Sequence, residues 1–369
     1  MNHWFAMHFE LRRGQVDTPS HAMEGLRGLA VTLVFLVHYV TLTSPWVTRD
    51  GLTDQWAQYI HRLGNAGVDL FFVLSGYLIY RTLMTRPQPY IGFMRRRIRR
   101  IYPAFLVVFA VHLALALSMG SSKLPTDGVE RWIYILQNLL LLPGLFPIEP
   151  LIAVAWSLSY EFFFYIALPF WISGLRLRQQ PASRRILLLC GVALAMLLTP
   201  QILGSHIRMT LFVAGMMVHE LMQGGRRVSA ATGMTAGLLA LASTQLAPSG
   251  PWSGTCMTGS LSVGFGLLCA ASLNHQTSKL TTILSWPPIR WLGNMSYSYY
   301  LMHGLALHAW VNVLARLAPP DQHPDALFWL SMLPAFMFTL LPSAALFLFV
   351  EKPLSLTSSS AAPSRATAT

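Results

Sequence analysis

The chain has 369 residues, of which 54% are hydrophobic and only 11% are Asp, Glu, Lys or Arg, against roughly 25% charged in a soluble domain. A mean hydropathy of +0.48 excludes a water-soluble globule, because the charged surface it would need is missing. The formal net charge of +12 does not point to nucleic acid, since the basic residues come in short bursts between apolar runs, as membrane topology requires.

Apolar segments fall at about 24–43, 65–84, 101–119, 132–147, 151–172, 187–203, 207–223, 229–247, 254–274, 292–315 and 326–350. A spanning helix needs roughly 20 residues. The weakest segment, 132–147, is interrupted by Gln137-Asn138, Pro143-Gly144 and Pro147. It is expected to be re-entrant or interfacial and buried against protein, because broken backbone does not face lipid. Ten spans then remain, in an all-α polytopic membrane protein with both termini cytoplasmic. On that topology the inner side collects twenty of the 26 Lys and Arg and the outer side six, an asymmetry in the sense the positive-inside rule requires. The first apolar segment carries an Arg and a His and no small-residue cleavage site follows it, so it reads as a retained helix. The expected organisation is a cytoplasmic segment 1–23, one transmembrane domain 24–353, and a Ser/Thr/Ala-rich cytoplasmic tail 354–369 without fixed structure.

An ionisable group inside a bilayer costs roughly 2.5–3.5 kcal/mol on insertion scales, so each is a functional candidate. In the first span, Arg27 and His38 are eleven residues apart. That spacing puts them on one helical face about 16 Å apart, with Arg27 at the cytoplasmic mouth and His38 near mid-depth. Separately, Arg27 reads equally as a snorkelling cation and His38 as an interhelical hydrogen bonder; their shared face points to a polar cavity entered from the cytoplasm.

In the second span Asp69 lies near the outer end, where a carboxylate suits either structure or a sugar hydroxyl. Gly64, Gly67, Gly76 and Ser75 suit close helix packing. The run Arg95, Arg96, Arg97, Arg99 and Arg100 is cytoplasmic. Such runs set topology and touch anionic lipid, and their guanidinium forks also match a polyphosphate.

The fourth span carries Trp156-Ser157-Leu158-Ser159-Tyr160-Glu161, which puts Glu161 about 15 Å deep. There it is either a catalytic group or the structural partner of a cation. In the ninth span Ser296, Tyr299, Tyr300 and His303 share a face, and His303 reaches a similar depth. Three helices thus converge on His38, Glu161 and His303 as a buried reactive centre. His112, His219, Glu220 and His308 read as structural. Cys190, Cys256 and Cys269 show neither metal-ligand nor disulfide-framework spacing, and no metal site is expected.

These segments resemble the acyltransferase 3 family of membrane acyltransferases over about residues 22–353. The matching pieces are Leu26-Arg27-Gly28-Leu29-Ala30 with His38, the stretch from Gly67 through Asp69 to Tyr77 and Ile79, and Arg99-Arg100-Ile101-Tyr102-Pro103. Trp156-Ser157-Leu158 with Glu161, Ser296 through Leu301 with His303, and Glu351-Lys352-Pro353 complete the set. Tyr77 stands where many relatives have Phe. The resemblance implies acyl transfer, most often of acetyl, from cytoplasmic acyl-CoA to a hydroxyl of a saccharide or glycolipid, with Arg27 and His38 essential. Acyl-CoA enters as co-substrate, with no permanently bound cofactor. Some relatives carry a hydrolase-like domain after the last span, and none is expected here.

Acyl transfer from a thioester to an alcohol needs a base and an oxyanion stabiliser. His38 is expected as the base, with Glu161 or His303 orienting it or balancing its charge. Arg27 and the Arg95–Arg100 run are expected to hold CoA; Asp69, Tyr77, Trp156 and Tyr299 are expected to meet the acceptor. Direct transfer and an acyl-histidine intermediate both remain open. The alternative from another class is a proton-coupled transporter or flippase, in which the buried His and Glu residues relay protons. Such a protein favours inverted repeats, and none is visible in the sequence.

Overall fold

The computed structural model describes residues 2–11, 18–120, 123–246, 250, 252–274, 278–320 and 325–356. Arg12, Arg13, Arg365 and most of the 354–369 tail lie outside the described residues. Among those described, the chain is helical, with an isolated bridge between Pro143 and Phe146 in place of a sheet. In chain order the helices are α1 (Asn2–Phe9), α2 (Thr18–Thr43), α3 (Leu52–Thr85), α4 (Tyr90–Ser118) and α5 (Gly128–Leu139). They continue with α6 (Ala155–Gly174), α7 (Ala182–Leu198), α8 (Pro200–Leu203), α9 (Thr210–Gln223) and α10 (Ala230–Ser243). The last are α11 (Ser253–Ser272), α12 (Lys279–Leu284), α13 (Pro287–Asn294), α14 (Ser296–Leu317) and α15 (Ala326–Leu346), which runs into a π-helical stretch, Phe347–Leu356.

Among the described residues, five helical stretches are long and apolar enough to cross a membrane: His21–Trp46, Leu52–Thr85, Tyr90–Ser118, Ser253–Ser272 and Ala326–Leu356. Other apolar helices are shorter or more polar; α10, for example, has 14 residues. Large apolar side chains such as Leu117, Phe170, Leu187, Leu239, Val263 and Leu333 point outward. Water would not tolerate that belt, and lipid requires it. The protein is a multi-pass membrane protein.

Several apolar segments are less continuous than their composition predicts. The stretch 187–203 breaks after Leu198, where Pro200 removes a backbone donor and disfavours helix in the residue before it. The stretch 292–315 is divided at Met295 into α13 and α14. Within 132–147 the helix ends at Leu139, and the expectation that the whole segment is buried needs correction. The irregular backbone after it does pack inward, with Leu141, Leu151 and Ile152 buried and Asn138 Oδ1 accepting from Leu151 N at 2.7 Å. The helix α5 itself keeps Trp132, Ile133 and Leu136 exposed on one face, as an interfacial amphipathic helix does. It starts at Asp127, whose carboxylate caps Glu130 N and Val129 N at 3.0 and 2.8 Å. Those amides hold Asp127 below the usual carboxylate range.

Helix α2 lies at the seam of two packed cores. Its Leu26, Ala30 and Val34 join one with Phe72, Phe105 and Phe212, while Val31, Phe35 and Tyr39 join the other with Tyr299, Phe328 and Phe347. Neighbours approach it at backbone distance. A Cβ on Gly64 would stand 2.6 Å from Val37 N, and one on Gly67 would stand 2.6 Å from Ala30 O. On the opposite side, a Cβ on Gly293 would meet Glu24 O at 1.8 Å. Gly76 makes the equivalent approach to Phe212 on α9. The glycines of the second span therefore do seat helices, as their sequence placement predicts.

Candidate functional site

The α2 seam carries two groups with chemical potential. Arg27 lines a cavity of about 140 Å³ together with Ser75, Arg97, Arg100, Glu161 and Tyr300. Three turns further along α2, the His38 ring meets the ring of His303 from α14, centroid to centroid 4.8 Å, edge to face. Tyr300 links the two features: it lines the cavity, and its ring lies 6.1 Å from that of His303.

Both imidazoles are turned onto main-chain carbonyls. His38 Nδ1 lies 2.9 Å from Val34 O, and His303 Nδ1 lies 3.0 Å from both Tyr299 O and Tyr300 O. A carbonyl only accepts, so in each ring Nδ1 carries the hydrogen and Nε2 is the basic nitrogen of the neutral form. His303 is fully buried and its Nε2 has no hydrogen-bond partner among the described residues. His38 remains partly accessible. The arrangement suits proton removal from a substrate hydroxyl at His38 Nε2.

Glu161 does not join the histidines; it forms part of the cavity wall. Its Oε1 accepts from Ser75 Oγ at 2.6 Å and from Tyr165 OH. Tyr165, one turn along the same helix face, is a residue that i, i+4 spacing from Glu161 makes findable. Ser157 Oγ and Tyr300 OH pair at 2.6 Å, tying α6 to α14 beside the cavity.

The arginine run divides by helical face, because it forms the first turns of α4. Arg95, Arg96 and Arg99 are exposed. Arg97 enters the cavity wall, stacks over the rings of Phe93 and Tyr165 at 5.7 Å each, and leaves Nε buried without a hydrogen-bond partner among the described residues. Arg100 also lines the cavity but is paired to Glu351, which is wholly buried. The other oxygen of Glu351 accepts from Ser298 N at 3.1 Å and from Ser298 Oγ. The Glu-Lys-Pro motif thereby acquires a physical role.

The four residues proposed to meet an acceptor are dispersed. Asp69 is buried and faces Arg208 Nε at 3.5 Å, and Arg208 in turn lies over the Trp156 ring at 5.5 Å. Tyr77 is buried near His219 and accepts from Arg81 at 3.1 Å. Tyr299 is buried, stacks on His303 at 5.4 Å and pairs with Thr339 at 2.8 Å. None of the four lines the cavity. Sequence reasoning gave no partner for Asp69, because Arg208 sits on the short 3-10 stretch Gly204–Met209. Among the described residues, no group of three or more His, Cys, Asp or Glu could hold a metal ion.

A family model described as an acyltransferase domain matches residues 20–348. The chain is 26% identical over 317 residues to acyltransferase MdmB of Streptomyces mycarofaciens, covering 78% of each protein. It is 28% identical to the exopolysaccharide production protein ExoZ of Rhizobium meliloti, over 79% of this chain and 90% of that one. Against O-acetyltransferase OatA of Staphylococcus aureus it is 32% identical over 175 residues, 44% of this chain and 26% of OatA. No solved structure matches the chain. With the matched region spanning nearly the whole chain, this membrane protein belongs to the acyltransferase 3 family.

Proposed function

We propose that this acyltransferase moves an acetyl group from cytoplasmic acetyl-CoA to a hydroxyl of a saccharide-type acceptor, with His38 as general base. The observation that carries the reading is the His38–His303 pair: two imidazoles 4.8 Å apart, each with Nδ1 committed to a carbonyl and Nε2 left as the unprotonated nitrogen of the neutral ring. The names of the relatives, which include an O-acetyltransferase and an exopolysaccharide production protein, support an oxygen nucleophile on a sugar.

In this reading the arginine-rich end faces the cytoplasm of the inner membrane, in a ten-span domain over 24–353. The cavity is narrower than a typical ligand pocket of roughly 300–1,000 Å³. It suits the slender acyl end of the thioester, with the CoA phosphates left at its mouth beside Arg27 and Arg97. His38 Nε2 takes the proton of the acceptor hydroxyl as its oxygen attacks the thioester carbonyl. The C–S bond then breaks, and the imidazolium returns the proton to the departing thiolate, giving the ester and CoA-SH. His303 keeps the His38 ring in place from a fully buried position. Glu161, held by Ser75 and Tyr165, fixes the cavity wall against which the acyl group lies.

The test is CoA release from acetyl-CoA by purified, detergent-solubilised protein. His38→Ala is expected to lose about 10²–10⁴-fold in rate while eluting as a folded monodisperse species. Arg27→Ala is expected mainly to raise the KM for acetyl-CoA. Full turnover in His38→Ala would remove the base assignment, and no turnover by wild type with any saccharide would remove the acyl-transfer reading.

A further inference from the structure

A second opening lies at the far end of α2, and the chemistry above makes no use of it. It is a groove of about 690 Å³ between the last turns of α2 and the first turns of α3, within the roughly 300–1,000 Å³ of small-molecule sites. Its wall on α2 begins at Val40 and Thr41, two residues past His38, about 3 Å along the helix axis. The first cavity reaches Arg27, about 16 Å below His38 on the same axis. His38 thus sits between two openings that approach it from opposite ends.

The length of α3 sets the depth of the groove. Its 34 residues make a helix of about 51 Å, well beyond a hydrocarbon core of about 30 Å. The surplus carries Trp56 and Tyr59, exposed on the face away from the groove, as residues at a membrane–water interface are. The groove face of these same turns is formed by Asp54, Gln58, His61 and Arg62, with Arg49 at the rim. Neither Arg49 nor Arg62 forms an ion pair among the described residues, and Asp54 is the acceptor of Gln58 Nε2 at 3.1 Å. The rim is fixed: Trp46 is buried and donates to Ala318 O at 3.0 Å, and Thr48 N donates to Asp325 Oδ1 at 3.0 Å.

We infer that this groove is the acceptor subsite, and that it takes a polyhydroxylated, negatively charged saccharide presented at headgroup level on the face opposite the arginine-rich end. The inference rests on the acyl-transfer reading and adds where the acceptor docks and with what charge. Two guanidinium groups without carboxylate partners among the described residues suit a carboxylate or phosphate on the sugar, while Asp54 and Gln58 suit its hydroxyls. A hydroxyl held there is delivered to the His38 side from the end opposite to the thioester, so donor and acceptor do not compete for one opening.

The test uses the full chain in nanodiscs of phosphatidylcholine, with a glucuronate-bearing tetrasaccharide as probe and a neutral glucose tetrasaccharide as its control. Saturable binding of the acidic probe is expected, with the neutral one weaker by about tenfold or more, the loss of one charge-assisted contact. Arg62→Gln and Arg49→Gln are each expected to weaken the acidic probe by a similar factor. As a second measure, Gln58→Cys, built on Cys190→Ser and Cys256→Ser, is expected to react with a membrane-impermeant maleimide more slowly when the acidic probe is present. Absent binding, binding indifferent to both arginine replacements, or Gln58→Cys protected by phosphatidylglycerol in the disc but not by sugar would each overturn the assignment, the last in favour of a lipid headgroup. CoA release is read in the same discs. Sugar binding without CoA release sinks the acyl-transfer reading, whereas CoA release without sugar binding sinks the groove alone.

Discussion

Helix α14 contributes to two buried polar assemblies only five residues apart, and they are built on opposite plans. At Ser298 everything is matched: Glu351 takes Arg100 on one oxygen and the Ser298 amide and hydroxyl on the other. At His303 something is withheld: both imidazoles spend Nδ1 on carbonyls, and His303 leaves Nε2 without a partner among the described residues. A saturated network rigidifies, because each donor and acceptor loses its alternatives; an unsaturated one stores a reactive lone pair at the cost of desolvating it. The contrast separates scaffold from chemistry within a single helix.

The largest loss is expected from Glu351→Ala. It strips Arg100 of its counter-charge and leaves the Ser298 amide without an acceptor, and should cost about 3–5 kcal/mol, read as a lowered unfolding midpoint and poor recovery of monodisperse protein. A protein that keeps its wild-type midpoint would show that the Glu351 assembly is not scaffold. Next in size is His303→Phe, which fills the same space without a lone pair. The midpoint should hold while CoA release falls about 100-fold with a displaced pH profile; unchanged turnover and profile would make His303 packing alone. The smallest effect is expected at Asp127, on the exposed start of α5. Its carboxylate is depressed by backbone amides, so its contribution is present above the unfolded value of about 4. That contribution is lost as pH falls through the lower folded value. Amide exchange in the first turn of α5 should accelerate over that acid range, and Asp127→Ala should show the faster exchange at all pH values.

Depth along a span was legible in the sequence, and direction around it only in part. Arg27 and His38 share a helix, so their common face follows from eleven residues of spacing alone. His303 meets His38 because α14 packs against α2 at the depth that residue counting gives. Glu161 was counted to a similar depth, yet it turns to Ser75 on α3, since azimuth depends on which neighbour each helix packs against. The arginine run was read as one block, although a three-residue step already separates Arg97 and Arg100 from Arg95, Arg96 and Arg99 on the turns of α4. Arg100 then goes to Glu351, about 250 residues away in sequence, a pairing no local pattern encodes. Segment 132–147 is interfacial, one of the two placements its sequence allows, but its burial holds only in part, because its broken backbone and its apolar face make opposite demands, met separately by the loop after Leu139 and by α5.

The glycine seats on α2 have a mechanical consequence. A carrier that alternates access by rocking one helix bundle on another needs a bearing surface whose side chains can slide and re-mesh. Around α2 the neighbouring backbones are keyed into each other at Gly64, Gly67 and Gly293, with less than one methyl group of clearance. A key of that kind locks against both sliding and rotation. With the helix that bears Arg27 and His38 clamped on two sides, the acyl transfer proposed above would run on a fixed frame, with no rocking of α2 against its neighbours.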